Sequence, residues 1–166
     1  MNDRDAEITA WHESGHAFAA VWLGANVESM SVSPDADDGP RRFGDIVVHW
    51  DRARFSDQEI AEKSVVVALS GPVVEMLHTG DVFHPATVQE WSQDWQLAWD
   101  AAEFVAGRTQ RIAHLERITQ ELYQVYSQGH HWAAIGAIVD HLLAYETLEG
   151  ETVREIVSEW TSCGPA

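Results

Sequence analysis

The residues with the clearest chemical pattern lie near the start of the chain, in the run His12-Glu13-Ser14-Gly15-His16. Histidines four positions apart project from the same face of a helix, so both imidazoles can bind one zinc ion at ~2.0–2.1 Å. The glutamate lies about 100° round the helix, beside the metal, where it can accept a proton from water. The pattern predicts that His12 and His16 are zinc ligands and that Glu13 is the catalytic base.

The surroundings of the two histidines favour a metal site over a chance match of surface histidines. On a helical wheel, His12 and His16 fall within an arc of mostly apolar residues: Ile8, Gly15, Ala19, Trp22 and Leu23. Imidazoles directed into an apolar face need partners, because an unsatisfied buried polar group costs ~1–3 kcal/mol. Gly15, which is unfavourable inside a helix, predicts that another element packs closely against this turn.

A catalytic zinc ion usually has three protein ligands, so a third ligand must come from elsewhere in the chain. Asp94 is the first candidate, because it falls within an apolar helical stripe that includes Trp91 and Ala98, where a carboxylate needs a cation. An ion pair is the alternative, but the chain has only ten Lys and Arg residues. Glu75, on an otherwise apolar helix, is the competing candidate for the third ligand. We favour for Glu75 the role of accepting the free ring N–H of a liganding histidine.

Local patterns predict a mainly α fold with one small β-hairpin, and they place the His-Glu-x-x-His pattern on the first helix. The run Ser56-Asp57-Gln58-Glu59 is a capping box that predicts the start of the second helix. Most tryptophans, Trp91 and Trp22 among them, are expected to fill the core. The predicted helices are about Arg4–Leu23, Ser56–His78, Val88–Ala106, Gln110–Tyr126, Trp132–Tyr145 and Thr152–Trp160, and the predicted strands are Val27–Val32 and Phe43–Trp50.

The composition excludes several classes of protein. The chain has 166 residues, of which 45% are hydrophobic, and this predicts a single globular domain over residues 1–166. A net charge of −17 argues against nucleic acid as a partner, because binding to phosphate requires basic patches. The absence of a signal-peptide pattern and of a long apolar run predicts a cytoplasmic protein with no direct membrane insertion. The single cysteine cannot form an internal disulfide.

Four segments in the same order resemble the peptidase domain of the FtsH family, the membrane-anchored AAA-type ATP-dependent zinc metalloproteases. His12–Ala17 is similar to the family's His-Glu-Ala-Gly-His-Ala, and Ser70–Glu75 to its Gly-Gly-Arg-Ala-Ala-Glu. Ser92–Ala98 is similar to its Ser-Asn-Asp-Leu-x-x-Ala, and Leu142–Glu151 to its Leu-Leu-x-x-Glu-Thr-Leu-x-Gly-Glu. The resemblance spans about residues 8–157. It implies one zinc ion per chain, with His12, His16 and Asp94 as ligands and Glu13 as base.

The function predicted from these patterns is a zinc metallopeptidase that cleaves peptides or unfolded chains. The sequence contains no Gly-x-x-x-x-Gly-Lys-Ser/Thr phosphate loop, so we expect no ATPase of its own. The expected partner is a separate ATPase, or further copies of the chain in a homo-oligomer. The alternative is a catalytically silent metal-binding adaptor derived from such a peptidase. A zinc hydrolase that acts on a non-peptide amide is a third reading.

Overall fold

The computed structural model describes residues 3–32 and 45–162. The described residues form a mainly helical fold with one small antiparallel sheet, which confirms the predicted fold class. The helices are α1 Asp3–Trp22, α2 Asp57–Thr79, α3 Ser92–Ala101, α4 Arg111–Tyr126, α5 Gly129–Tyr145 and α6 Gly150–Ser162, and the strands are β1 Asn26–Ser31, β2 Asp45–His49 and β3 Thr147–Glu149. The turn between the two predicted strands, the residues Phe43 and Gly44, the N-terminal Asn2 and the single Cys163 lie outside the described ranges.

Helix α1 runs through the centre of the molecule. From Thr9 to Ala20 every residue is buried except Trp11, which is half-buried, so the helix is covered on all sides rather than on one apolar face. It packs mainly against α2 and α5. The approach of α2 is close because Gly15 has no side chain: a Cβ at this position would lie 2.6 Å from the backbone oxygen of Ser70. The prediction that an element packs tightly against Gly15 is thereby confirmed.

Helix α2 begins as its sequence predicts. The Ser56 hydroxyl accepts a hydrogen bond from the backbone N–H of Glu59, and the Glu59 carboxylate accepts one from the backbone N–H of Ser56. These reciprocal bonds satisfy backbone donors that a helix start leaves free. Pro72 lies inside the helix, which continues to Thr79 and ends at Gly80 in the left-handed conformation (φ 77°).

The region around α3 differs from the long helix predicted over Val88–Ala106. The α-helix covers only Ser92–Ala101 and is flanked by 3₁₀ turns at Pro85–Thr87, Gln89–Trp91 and Ala102–Phe104. The apolar spacing that suggested one helix is preserved across these tighter turns, because i and i+3 also share a face in a 3₁₀ turn. Trp91 is buried as expected, whereas Trp22 is 42% exposed and does not fill the core.

The sheet has the strand order β2-β1-β3, with both pairs antiparallel. The predicted hairpin is the β1–β2 pair; β3, only three residues long, was not predicted. Strand β3 leads directly into α6 at Gly150. A Cβ at Gly150 would overlap the backbone oxygen of Val27 in β1, so this glycine allows the start of α6 to lie against the sheet.

None of the helices within residues 3–32 and 45–162 combines the length and the apolar character needed to cross a lipid bilayer.

Replacement of Gly150 by alanine tests this contact. We expect Gly150→Ala to lower the free energy of unfolding by about 1–3 kcal/mol or more, because backbone atoms must move to admit the methyl group. The matched control is Gly129→Ala, also at the first residue of a helix, where an added Cβ meets no atom within 4 Å. It should change the free energy by less than about 0.5 kcal/mol. Urea unfolding followed by circular dichroism measures both variants, and equal midpoints would contradict the packing described.

Candidate metal centre

Helix α1 directs the imidazoles of His12 and His16 into the interior, toward α2 and α3. The two residues are only 4% and 5% exposed. They lie one helical turn apart, and their Nε2 atoms are 3.1 Å from each other. Such proximity of two ring nitrogens in a buried site is typical of atoms that share one cation.

Asp94 completes the group from the first turn of α3. Its Oδ2 lies 3.0 Å from His12 Nε2, and its Oδ1 lies 3.3 Å from His16 Nε2. Three ligands of a tetrahedral zinc ion with bonds of ~2.0–2.1 Å are about 3.3–3.4 Å apart. The three side chains therefore have the separations that a zinc ion requires, within a few tenths of an ångström.

The hydrogen bonds on the far side of each ring indicate which nitrogen faces the site. His12 Nδ1 donates to Glu75 Oε2 at 2.9 Å, and His16 Nδ1 donates to the backbone oxygen of Val67 at 2.7 Å. A neutral imidazole that donates through Nδ1 has a lone pair on Nε2. Two lone pairs then face each other and the Asp94 carboxylate, an arrangement that repels unless a cation lies among them. The donor set fits a divalent metal.

The pKa values of these side chains also indicate that the site favours bound positive charge. Burial by itself would lower the pKa of His12, but the hydrogen bonds with Asp94 and Glu75 and the charge of Asp94 raise it to about 10. The pKa of His16 is raised as well, because the charge of Asp94 and its hydrogen bond outweigh burial. Burial opposes ionisation of Asp94, yet the two histidines hold its pKa below the usual range. A bound dication would replace the protons that the two histidines hold because of their raised pKa values.

Gly71 on α2 leaves open the space in front of both rings. A Cβ at this position would overlap His16 Nε2 and would lie 2.8 Å from His12 Nε2. Any side chain here would therefore occupy the space in which the two nitrogens converge. Sequence reasoning assigned Gly71 no role of its own, although a glycine four positions before Glu75 on an apolar helix was a signal available.

Glu13 lies on α1 between the two histidines and is 7% exposed. Burial raises the pKa of its carboxyl, whereas the charges of His16 and His12 lower it in part; Asp94 and Asp45 act in the same direction as burial. Asp45 is the first residue of β2, and this strand is in contact with α1, the helix that carries Glu13. Glu13 is not part of the three-residue ligand group formed by His12, His16 and Asp94.

Among the described residues, the three predicted ligands come together, and Glu75 contacts the distal nitrogen of His12 rather than the triad. This is the placement expected of a residue that orients a ligand. Sequence reasoning missed two further contacts: the Val67 carbonyl behind His16 and the Trp91 indole N–H that donates to Glu75. A backbone carbonyl carries no side-chain signal, and Trp91 had been assigned only to the core.

Two curated proteins are similar to almost all of this chain. An ATP-dependent zinc metalloprotease FtsH from Thermus thermophilus is 35% identical over 95% of the chain. One from Acidimicrobium ferrooxidans is 26% identical over 96% of the chain. The chain spans about 30% of the length of the first relative and 29% of the second. No family model matches the chain. The chain is thus a region related to FtsH, and its relatives are zinc metalloproteases.

The ligand assignment predicts different losses of zinc affinity for the two acidic residues. Asp94→Ala removes a ligand and should weaken zinc binding by far more than the ~10–100-fold expected for loss of an orienting residue. Asp94→Asn is the matched variant, since it preserves shape and removes the charge. Glu75→Ala should show only the smaller loss, because His12 keeps its Nε2 free for the metal. Competition titrations with a chelator measure all three. Zinc retained by both Asp94 variants and lost by Glu75→Ala would reverse the assignment.

The raised histidine pKa values predict that zinc affinity increases with pH. The metal-free triad holds protons that zinc must displace, up to the pKa of about 10 for His12. The apparent affinity should therefore rise between pH 6 and 9, by up to about tenfold per pH unit for each proton released. Calorimetry in buffers of different ionisation enthalpy counts these protons. Asp94→Asn should show a shallower dependence, and an affinity independent of pH in the wild type would contradict the electrostatic account.

Proposed function

We propose that this protein is a zinc-dependent metallopeptidase that hydrolyses peptide bonds in peptides or unfolded chains, with His12, His16 and Asp94 as ligands of one zinc ion. The observation that carries the proposal is the convergence of two Nε2 lone pairs and one carboxylate, each 3.0–3.3 Å from its neighbours, beside the buried Glu13. The similarity to zinc metalloproteases over 95% of the chain supports it. Bound zinc would supply a Lewis acid that polarises the scissile carbonyl.

In this proposal Glu13 acts as general base and then as general acid. Its carboxylate takes a proton from the attacking water, whose oxygen bonds to the carbonyl carbon of the substrate. Glu13 then gives the proton to the leaving nitrogen as the C–N bond breaks, so that a carboxylic acid and an amine are released and Glu13 is again a carboxylate. The burial that raises the pKa of Glu13 suits this exchange, because a raised pKa makes the carboxylate a stronger base toward the attacking water.

Strand β2 is the proposed binding edge for the substrate. It lies at one edge of the described sheet, with alternating exposed and half-buried residues, and it begins at Asp45 near Glu13. An extended peptide could pair with such an edge through backbone hydrogen bonds, which gives affinity largely independent of side chains. This mode of binding suits short peptides, flexible termini and unfolded chains, the substrates that we propose.

The organisation around this activity is proposed together with it. Residues 1–166 would form a single peptidase-like domain, and a homo-oligomer or a separate ATPase would be its partner. The name of the relatives describes ATP-dependent enzymes, which supports an ATPase as the class of partner to test. The cytoplasmic location stays a prediction from the sequence. A site that binds metal only for structure has no need of a carboxylate beside it, so the buried Glu13 favours the peptidase over the adaptor.

Glu13→Gln is the variant that tests the mechanism. The amide keeps the shape of the side chain and removes the base, so cleavage should be lost, while zinc stoichiometry stays near one per chain because Glu13 is not a ligand. The assay incubates the zinc-loaded wild type and the variant with an unfolded, casein-like substrate, with and without chelator, and measures bound zinc in parallel. Loss of zinc from Glu13→Gln would mean that the roles are misassigned.

The same assay distinguishes the peptidase from the adaptor. Chelator-sensitive cleavage by the wild type, restored by zinc, supports the enzyme. A wild type that binds zinc and cleaves neither unfolded chains nor short peptides is the outcome that the adaptor predicts. Circular dichroism after chelation is the control, because loss of cleavage through unfolding would otherwise resemble loss of the catalytic metal.

A further inference from the structure

The side chain of Trp91 is buried beside the metal ligands and makes a directed hydrogen bond. Trp91 is the last residue of the 3₁₀ turn before α3 and is 2% exposed. A buried indole N–H needs an acceptor. The Trp91 Nε1–H donates to Glu75 Oε2 at 2.8 Å, a charge-assisted bond within the core.

The acceptor of this bond is the oxygen that also binds His12. Glu75 Oε2 accepts from Trp91 Nε1 at 2.8 Å and from His12 Nδ1 at 2.9 Å. Two donors on one carboxylate oxygen fix the position of the carboxylate and therefore the rotation of the His12 ring. The indole N–H is thus two hydrogen bonds away from the Nε2 atom that faces His16 and Asp94.

The hydrogen bond between Trp91 and Glu75 also fixes the position of the segment that carries Asp94. Trp91 and Asp94 are three positions apart, so they lie on one face at the start of α3. Because Glu75 belongs to α2, the hydrogen bond fixes the beginning of α3 against α2. The next tryptophans have other contacts: the Trp95 ring lies 5.2 Å from that of His84, and Trp99 lies under Arg111.

We propose that Trp91 is a positioning residue of the metal centre, and that it acts through Glu75 to orient His12 and to hold Asp94 in place. The inference rests on the proposed function only in that the triad binds zinc; it does not require that the protein cleaves peptides. Its readout is therefore zinc affinity, which can be measured whether or not the enzyme is active.

Trp91→Phe removes the N–H and keeps an aromatic ring in the core. We expect it to weaken zinc binding by about tenfold, the lower end of the range for loss of a group that orients a ligand. Trp99→Phe is the control, since it makes the same change further along, on α3 itself and away from Glu75, and it should alter zinc affinity by less than about twofold. Equal effects of the two variants would overturn the proposal.

A double-mutant cycle separates the hydrogen bond from simple packing. If Trp91 acts through Glu75, the loss caused by Trp91→Phe should disappear in the Glu75→Ala background, because the acceptor is already gone. A tenfold loss that persists in that background would overturn the proposal. An inactive wild type that binds zinc and shows the coupling would refute the peptidase and leave this inference supported.

If Trp91→Phe fails to fold, the hydrogen bond can still be tested on the Trp91 indole of the wild-type protein. In the wild type, NMR of the indole N–H groups should show slow hydrogen exchange at Trp91, and Glu75→Ala should accelerate that exchange while the Trp99 signal is unchanged. An indole of Trp91 that exchanges at the same rate with and without Glu75 would contradict the hydrogen bond.

Discussion

The structure depends on one electrostatic constraint: two imidazole lone pairs and one carboxylate face each other in a buried space. Each ring is turned into this position by the hydrogen bond behind it, His12 by Glu75 and His16 by the Val67 carbonyl. Without a cation these atoms repel, so the site accepts protons or a metal. The elements around it serve to keep three acceptor groups together against that repulsion.

Close contact between α1 and α2 makes this arrangement possible. Gly15 on α1 meets the backbone of α2 at Ser70, and Gly71 on α2 leaves room in front of the histidine rings. The two glycines occupy neighbouring points of one helix interface, and each gives up helix propensity of ~1 kcal/mol relative to alanine. The cost is consistent with a requirement for backbone approach that larger residues cannot meet.

The carboxylates of the centre differ in role because they differ in surroundings. Asp94 faces two imidazoles, and its pKa is held low. Glu75 lies behind one ring and accepts two N–H groups on a single oxygen. Glu13 is buried beside the triad, and burial raises its pKa, which suits proton exchange rather than metal binding. Three acidic residues within one core thus have three different chemical characters.

Local pattern was sufficient to predict much of the helical framework and the candidate site. The separation of His12 and His16 by one turn is a property of a single helix, and the capping box at Ser56 is a bond between residues three apart. Asp94 was also found from the sequence, because a lone carboxylate on an apolar stripe indicates a buried partner even when that partner is 82 residues away.

Other features were decided only by tertiary packing. Strand β3 is three residues long and forms because β1 offers an edge, and the start of α3 is tightened into 3₁₀ turns that preserve the same apolar spacing. The bond between Trp91 and Glu75, the carbonyl of Val67 behind His16 and the space at Gly71 each join different elements. Periodicity specifies which face of a helix is buried, but it does not specify which atoms meet there. The sequence by itself therefore determined the residues of the candidate site, and the packing of α1, α2 and α3 determined their orientation.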